Sequence, residues 1–137
     1  MSLFQVFDIS ASAMSAQSVR LNTIASNLAN AEVAGASPEE TYHSRHPVFS
    51  ATFDSFMTDQ SAVGVRVDGI VESTVEPRKE YSPGHPMAND EGFIYLSNVN
   101  TVDEMTNMIS ASRSYQSSVE AMNTTKQLIM RTLNLGN

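Results

Sequence analysis

Apolar residues seven apart recur at both ends of this chain, and that spacing limits the folds open to it. Near the N-terminus it runs Phe7, Met14, Leu21, Leu28, with Ala11, Ile24 and Ala25 in the intervening seam. Near the C-terminus it runs Met108, Tyr115, Met122, Ile129, with Val119 and Leu133 four residues after Tyr115 and Ile129. A step of seven with a second apolar position three or four on is the pattern of a coiled-coil seam. Two such segments at opposite ends of a 137-residue chain imply that the ends meet, or that they pack against copies of themselves. Assembly is the expectation, rather than catalysis.

Charge supports that reading. The net charge is −7, and all of it lies in the middle. Residues 1–31 carry Asp8 and Arg20. Residues 101–137 carry Asp103, Glu104 and Glu120 against Arg113, Lys126 and Arg131. The two ends are thus neutral and pack with like copies without self-repulsion. An acidic middle excludes a nucleic-acid surface, which needs basic side chains against phosphates, and direct binding to anionic lipid. With no cysteine, disulfides, thiol chemistry and thiolate metal sites are excluded. Residues 1–20 lack a basic segment followed by a continuous apolar run, so no cleaved secretory signal is expected. Taken alone this reads as cytoplasmic, although a signal-less export route leaves the same sequence.

Local patterns predict a helix over 3–31, a loop over 32–47, strands over 48–75, a second irregular stretch over 76–91, a short strand over 92–96 and a helix over 101–135. Val48, Phe49, Phe53 and Phe56 are β-formers, and Val63, Val65 and Val67 alternate. Asp68-Gly69 predicts a hairpin turn. The prolines of 76–91 argue against regular structure there. In the short strand, Phe93 and Tyr95 belong to one face and Ile94 and Leu96 to the other. Thr101 to Glu104 predicts a capping box, and Gly136 follows the last apolar residue. Both helices exceed the roughly 10–14 residues usual in globular domains. The middle holds only a small core, so much of each arm needs a partner for its apolar stripe.

Candidate chemistry is sparse. His43 and His46 have metal-compatible spacing, but no acid or cysteine completes the set. His85, between Gly84 and Pro86, reads as a loop residue making a structural hydrogen bond or a subunit contact. There is no Gly-x-Ser-x-Gly, no phosphate-cradling glycine loop and no recognisable acid–base pair. The reading is a non-enzyme without cofactor, metal or small-molecule substrate. The methionines Met105, Met108, Met122 and Met130 suit a helix core that adapts to imperfect packing, including packing between molecules.

Three stretches carry a family resemblance. Ser12 to Gln17 continues into Asn22-Thr23-Ile24-Ala25-Ser26-Asn27-Leu28-Ala29-Asn30-Ala31. Tyr81-Ser82-Pro83-Gly84-His85-Pro86 is followed by Glu91-Gly92-Phe93 and Asn98-Val99-Asn100. The last runs from Glu104-Met105 through Ile109 to Arg113 and Tyr115, then Val119 to Thr124. Together these resemble the bacterial flagellar rod proteins, those of the proximal rod above all, within the wider family of rod and hook axial proteins. Ser82 and Ser97 depart from the family pattern, which favours Asp and Pro there, and 32–38 departs from its threonine-rich stretch.

The resemblance implies a structural subunit of the basal-body rod within the periplasm, stacked helically with itself and other rod proteins. It implies that the subunit transmits torque, encloses the export channel and leaves the cell through the flagellar type III export apparatus without a cleaved signal peptide. The expected fold class is α+β: long terminal helices packed as a coiled-coil-like arm, with a small β-rich module inserted between them. The expected segments are 1–31, a rod helix; 32–100, an acidic β-rich module; and 101–137, a second rod helix. The expected assembly interface comprises Phe7, Met14, Leu21, Ile24, Asn27, Leu28, Asn30, Met105, Met108, Ile109, Arg113, Tyr115, Val119, Met122, Ile129 and Leu133. The loop motif comprises Tyr81, Pro83, Gly84, His85, Pro86, Asn98 and Asn100. The competing reading is a soluble coiled-coil chaperone or adaptor of a secretion system.

Overall fold

The first glycine is Gly35, and no proline precedes Pro38. Helix α1 accordingly runs unbroken over Leu3–Ala29. The computed structural model describes residues 3–52 and 63–135; the expected roles of Phe53, Phe56 and Gly136 lie outside them. The last turn of α1 tightens. The Asn30 amide donates to the carbonyls of both Ser26 and Asn27 at 3.2 Å, and its side-chain Nδ2 donates to Ser26 at 2.8 Å. These bonds occupy carbonyls that a helix end leaves without partners.

Helix α2 spans Thr101–Leu135. The capping box expected at Thr101 is corrected, because the cap is one residue earlier. Asn100 Oδ1 accepts from the amides of Val102 (3.1 Å) and Asp103 (3.4 Å), and its own carbonyl accepts from Glu104 (3.0 Å). Asp103 and Glu104 then face the positive end of the helix. Hydroxyls deeper in α2 satisfy themselves locally. Thr106, Ser118, Thr125 and Thr132 each donate to the carbonyl four residues back, at 2.8–3.0 Å.

Among the described residues, five strands lie between the helices: β1 (Ala34–Gly35), β2 (Arg45–Thr52), β3 (Gly64–Glu72), β4 (Arg78–Tyr81) and β5 (Phe93–Leu96). They form a three-stranded sheet ordered β1-β5-β4 and a two-stranded sheet of β2 and β3. Central β5 is antiparallel to both neighbours, with Ala34 opposite Leu96 and Tyr81 opposite Phe93. Ile94 and Leu96 are buried while Phe93 and Tyr95 are half-buried, the alternation expected of this segment. The absence of regular structure expected across 76–91 is corrected by β4, which occupies the gap between Pro77 and Pro83. The Asp68-Gly69 hairpin is also corrected. β3 runs straight through both residues and pairs with β2, so the returning chain that a turn would need is already supplied by another strand.

Two compact units divide the chain: residues 1–21, 47–69 and 110–137 in one, and residues 22–46 and 70–109 in the other. In the first, α1 meets β3 through Ser12. Its Oγ donates to the Ile9 carbonyl (2.8 Å) and accepts from the Val65 amide (3.2 Å). The Ser50 hydroxyl and the Arg66 guanidinium beside Asp68 hold its exposed carboxyl below the ordinary carboxylate value. In the second unit, Gly35 packs so closely on Thr41 that a Cβ there would lie 2.5 Å from its hydroxyl and 3.2 Å from its backbone. Thr41 Oγ1 spans from Ser37 O (2.8 Å) to Tyr95 O (3.3 Å), joining loop to sheet.

These observations overturn the expected fold class in its arrangement. Each unit draws on both terminal helices and on the middle of the chain, so the β segments are not a module inserted into a separate helical arm. Nor do large apolar side chains form the most buried stripe of either helix. On α1 the buried residues are Ser10, Ala16, Thr23, Ile24 and Asn27. On α2 they are Glu104, Ala111 and Thr125, spaced seven and fourteen apart. Met108, Tyr115, Met122 and Ile129 keep the expected spacing but are half-buried, and Phe7 and Leu133 are exposed. Most of these buried side chains are small or polar, Ile24 being the large apolar exception, while the heptad methionines are half-buried or exposed. The architecture is α+β, with a helix at each end and two small sheets between, the three-stranded one antiparallel.

Candidate assembly surface and the scaffold behind it

Asn27 organises the second unit. Among the described residues it is the largest side chain with no solvent exposure, and all four of its hydrogen-bonding positions are used. Nδ2 donates to the Arg45 carbonyl (2.9 Å) and to Glu104 Oε2 (3.0 Å). Oδ1 accepts from the Arg45 amide (2.9 Å) and the Tyr42 hydroxyl (2.9 Å). Toward Arg45 the carboxamide both gives and receives, as a residue of a neighbouring strand would. One side chain of α1 thereby replaces a ladder partner at the start of β2 and ties α1 to the first turn of α2. Glu104 is itself only 5% exposed. A buried carboxylate is costly without a donor, and Asn27 supplies one.

Other asparagines do similar work. Asn98 Oδ1 accepts from the Ser44 amide and its Nδ2 donates to the Val75 carbonyl, both at 2.7 Å. Asn89 Oδ1 accepts from the amides of Phe93 (2.9 Å) and Glu91 (3.1 Å), which shapes the return from β4 to β5. That return contains the loop motif. Ser82 N donates to Gly92 O and His85 N to Ser82 O, and His85 Nδ1 accepts from Met87 N at 3.1 Å. His85 therefore makes a structural hydrogen bond in a turn. Gly92 has φ +81°, and a Cβ there would sit 3.0 Å from the Tyr81 ring and 3.1 Å from Pro83. The Tyr81 ring stands edge-on to Phe93 with centroids 5.1 Å apart, and Lys79 Nζ lies 4.0 Å above the Phe93 ring. Gly84 meets nothing within 4 Å at its Cβ position.

The residues expected at an assembly interface fall into three groups. Asn27 and Ile24 are interior, and Asn30 closes the end of α1. Met14, Leu21, Leu28, Met108, Tyr115, Val119, Met122 and Ile129 are half-buried. Phe7, Met105, Ile109, Arg113 and Leu133 are exposed. On the first turns of α2, Val102, Met105 and Ile109 are 69%, 57% and 58% exposed and share one face by their spacing. Phe4 adds to the exposed apolar area at the start of α1, as do Leu128, Met130 and Leu135 at the end of α2. Sequence reasoning missed Tyr42, Arg45 and the interior role of Glu104. The available signal was that Glu104 precedes an apolar helix face, and capping explained it equally well. Among the described residues, no three His, Asp or Glu side chains gather as a metal site.

Comparison with known proteins gives the chain's relatives. Residues 7–36 match the flagella basal body rod protein family, and residues 90–135 match the C-terminal family of flagellar basal body rod FlgEFG proteins. The Asn27 hub and the capped start of α2 lie in these two regions. The flagellar basal-body rod protein FlgC of Yersinia enterocolitica is 44% identical over 136 residues, covering 99% of both chains. FlgC of Salmonella typhimurium is 41% identical over 136 residues, again covering 99% of both. FlgC of Buchnera aphidicola from Acyrthosiphon pisum is 41% identical over 137 residues and 98% of both. With identity at this level spread along nearly the whole length, the chain belongs to the FlgC family of flagellar basal-body rod proteins.

Proposed function

We propose that this protein is a structural subunit of the proximal rod of the flagellar basal body, without enzymatic activity. It stacks helically with its own copies and with other rod proteins. The stack carries torque outward and encloses the channel through which later subunits pass. The subunit itself leaves the cell through the flagellar type III apparatus and resides in the rod within the periplasm.

The observation that carries this reading is the inverted burial of the helices. Most buried positions on the helices are small or polar, while Phe4, Phe7, Val102, Met105, Ile109 and Leu133 face outward. Exposed apolar residues that share one helix face mark a surface that another protein covers. Membership of a rod family supports identifying that other protein as a neighbouring subunit. The half-buried Met108, Tyr115, Met122 and Ile129 and the exposed Arg113 are further residues proposed to meet neighbouring subunits.

Motility complementation tests the reading. In a strain lacking its own copy, the full-length chain restores swimming and complete rods by electron microscopy. Met105→Asp with Ile109→Asp leaves the free subunit folded and soluble but yields no complete rods. Normal rods from that double variant would reject this surface. A stable dimer in dilute solution, with rods complete in the protein's absence, would favour the secretion-chaperone reading instead.

A further inference from the structure

His43 lies in the loop between β1 and β2, and both of its ring nitrogens face backbone carbonyls. Nδ1 is 3.1 Å from the Ser73 oxygen, just past β3, and Nε2 is 3.2 Å from the Pro38 oxygen within the loop. A carbonyl has no proton to give. Neutral imidazole has one N–H and one bare lone pair, so it serves one of these oxygens and turns a lone pair toward the other. Imidazolium has two N–H groups and serves both. We propose that His43 is a proton-operated staple. Protonated, it clamps the 36–44 loop to the chain leaving β3; neutral, it gives up one of the two bonds.

The staple sits where the second unit is stitched together. The adjacent Tyr42 hydroxyl reaches Asn27, the Ser44 amide donates to Asn98, and Ser73 N donates to the Ser44 carbonyl at 2.8 Å. The charged groups of the surrounding segments are mostly acidic. Glu39 and Glu40 lie on the loop, and Glu72 and Glu76 lie around the end of β3. Glu32 follows α1, and Asp103 and Glu104 are in the first turn of α2. The cationic side chain nearest in sequence, Arg45, is paired with Glu72 at 2.8 Å, and His46 is exposed on β2. The adjacent cation is thus already paired.

The test is nitrogen-15 spectroscopy of the histidine rings in the full-length chain from pH 5 to 8, with amide exchange of residues 37–45 corrected for intrinsic rate. At the acid end, both His43 nitrogens carry protons shielded from solvent. At the alkaline end one proton is lost, and loop exchange rises about tenfold, the scale of one lost charge-assisted hydrogen bond. His43→Gln, which has a single donor nitrogen, shows no such pH dependence. One protonated nitrogen across the whole range overturns the proposal. So does a ring that titrates while loop exchange stays flat, or a His43→Gln chain whose loop responds to pH as the wild type does. The wild-type spectra decide the matter even if the variant folds poorly.

Discussion

Asn27 shows how much of this protein rests on a single carboxamide. Its replacement by alanine leaves the Arg45 amide and carbonyl and the Glu104 carboxylate without their buried partner. Asn27→Ala is expected to destabilise the protein by about 2–4 kcal/mol, read from urea unfolding followed by circular dichroism. Asn27→Asp is expected to be at least as costly, since it removes both donors and places a second carboxylate beside Glu104. Gly92 is constrained by backbone geometry instead. At φ +81° with Tyr81 and Pro83 in the way, Gly92→Ala is expected to cost about 1–3 kcal/mol in the same measurement. Gly69 meets nothing within 4 Å and has no such φ, so Gly69→Ala should change stability far less. Both glycines stand beside an acidic residue in a turn-like dipeptide, and only the structure separates them.

At the level of the element, α2 depends on a cap that the sequence reading placed one residue late. Asn100→Ala is expected to lower stability by about 1 kcal/mol, while Asn100→Ser, which keeps an acceptor oxygen, should change it little. The existence of both helices was legible, because long runs free of Gly and Pro leave few alternatives. β5 was legible with its correct faces from four alternating residues. β4 was not. Its four residues are all exposed, so no hydrophobic alternation marks them, and their strand state comes from pairing with β5. As an edge strand, β4 carries Arg78, Lys79 and Glu80 and is followed by Pro83. Such residues discourage unwanted edge-to-edge pairing. The β3 hairpin failed for a related reason: a turn dipeptide is a local preference, and pairing with β2 overrode it.

For the whole molecule, bonds around Asn27 and Asn98 tie distant segments together, as Ser12 ties α1 to β3, whereas Phe4 at one end and Leu133 and Leu135 at the other are exposed. Amide exchange of the free subunit should therefore show strong protection at residues 22–29 and 101–109, falling toward 3–10 and 128–135. Uniform protection along both helices would mean that the ends need no partner. The heptad spacing, the neutral ends, the acidic middle and the family membership were all determined by the sequence. They are properties of residue type and order, and so was the expectation that the ends serve assembly. Which face of each helix is interior was decided only by the tertiary structure. A seven-residue repeat specifies a stripe, but Ala111, Thr125 and Asn27 outcompete methionine and phenylalanine for the interior because close backbone approach and buried carboxamide bonding both require small or polar side chains there. That preference arises from distant partners such as Arg45 and Glu104, brought alongside by folding, and periodicity along one helix carries no record of them.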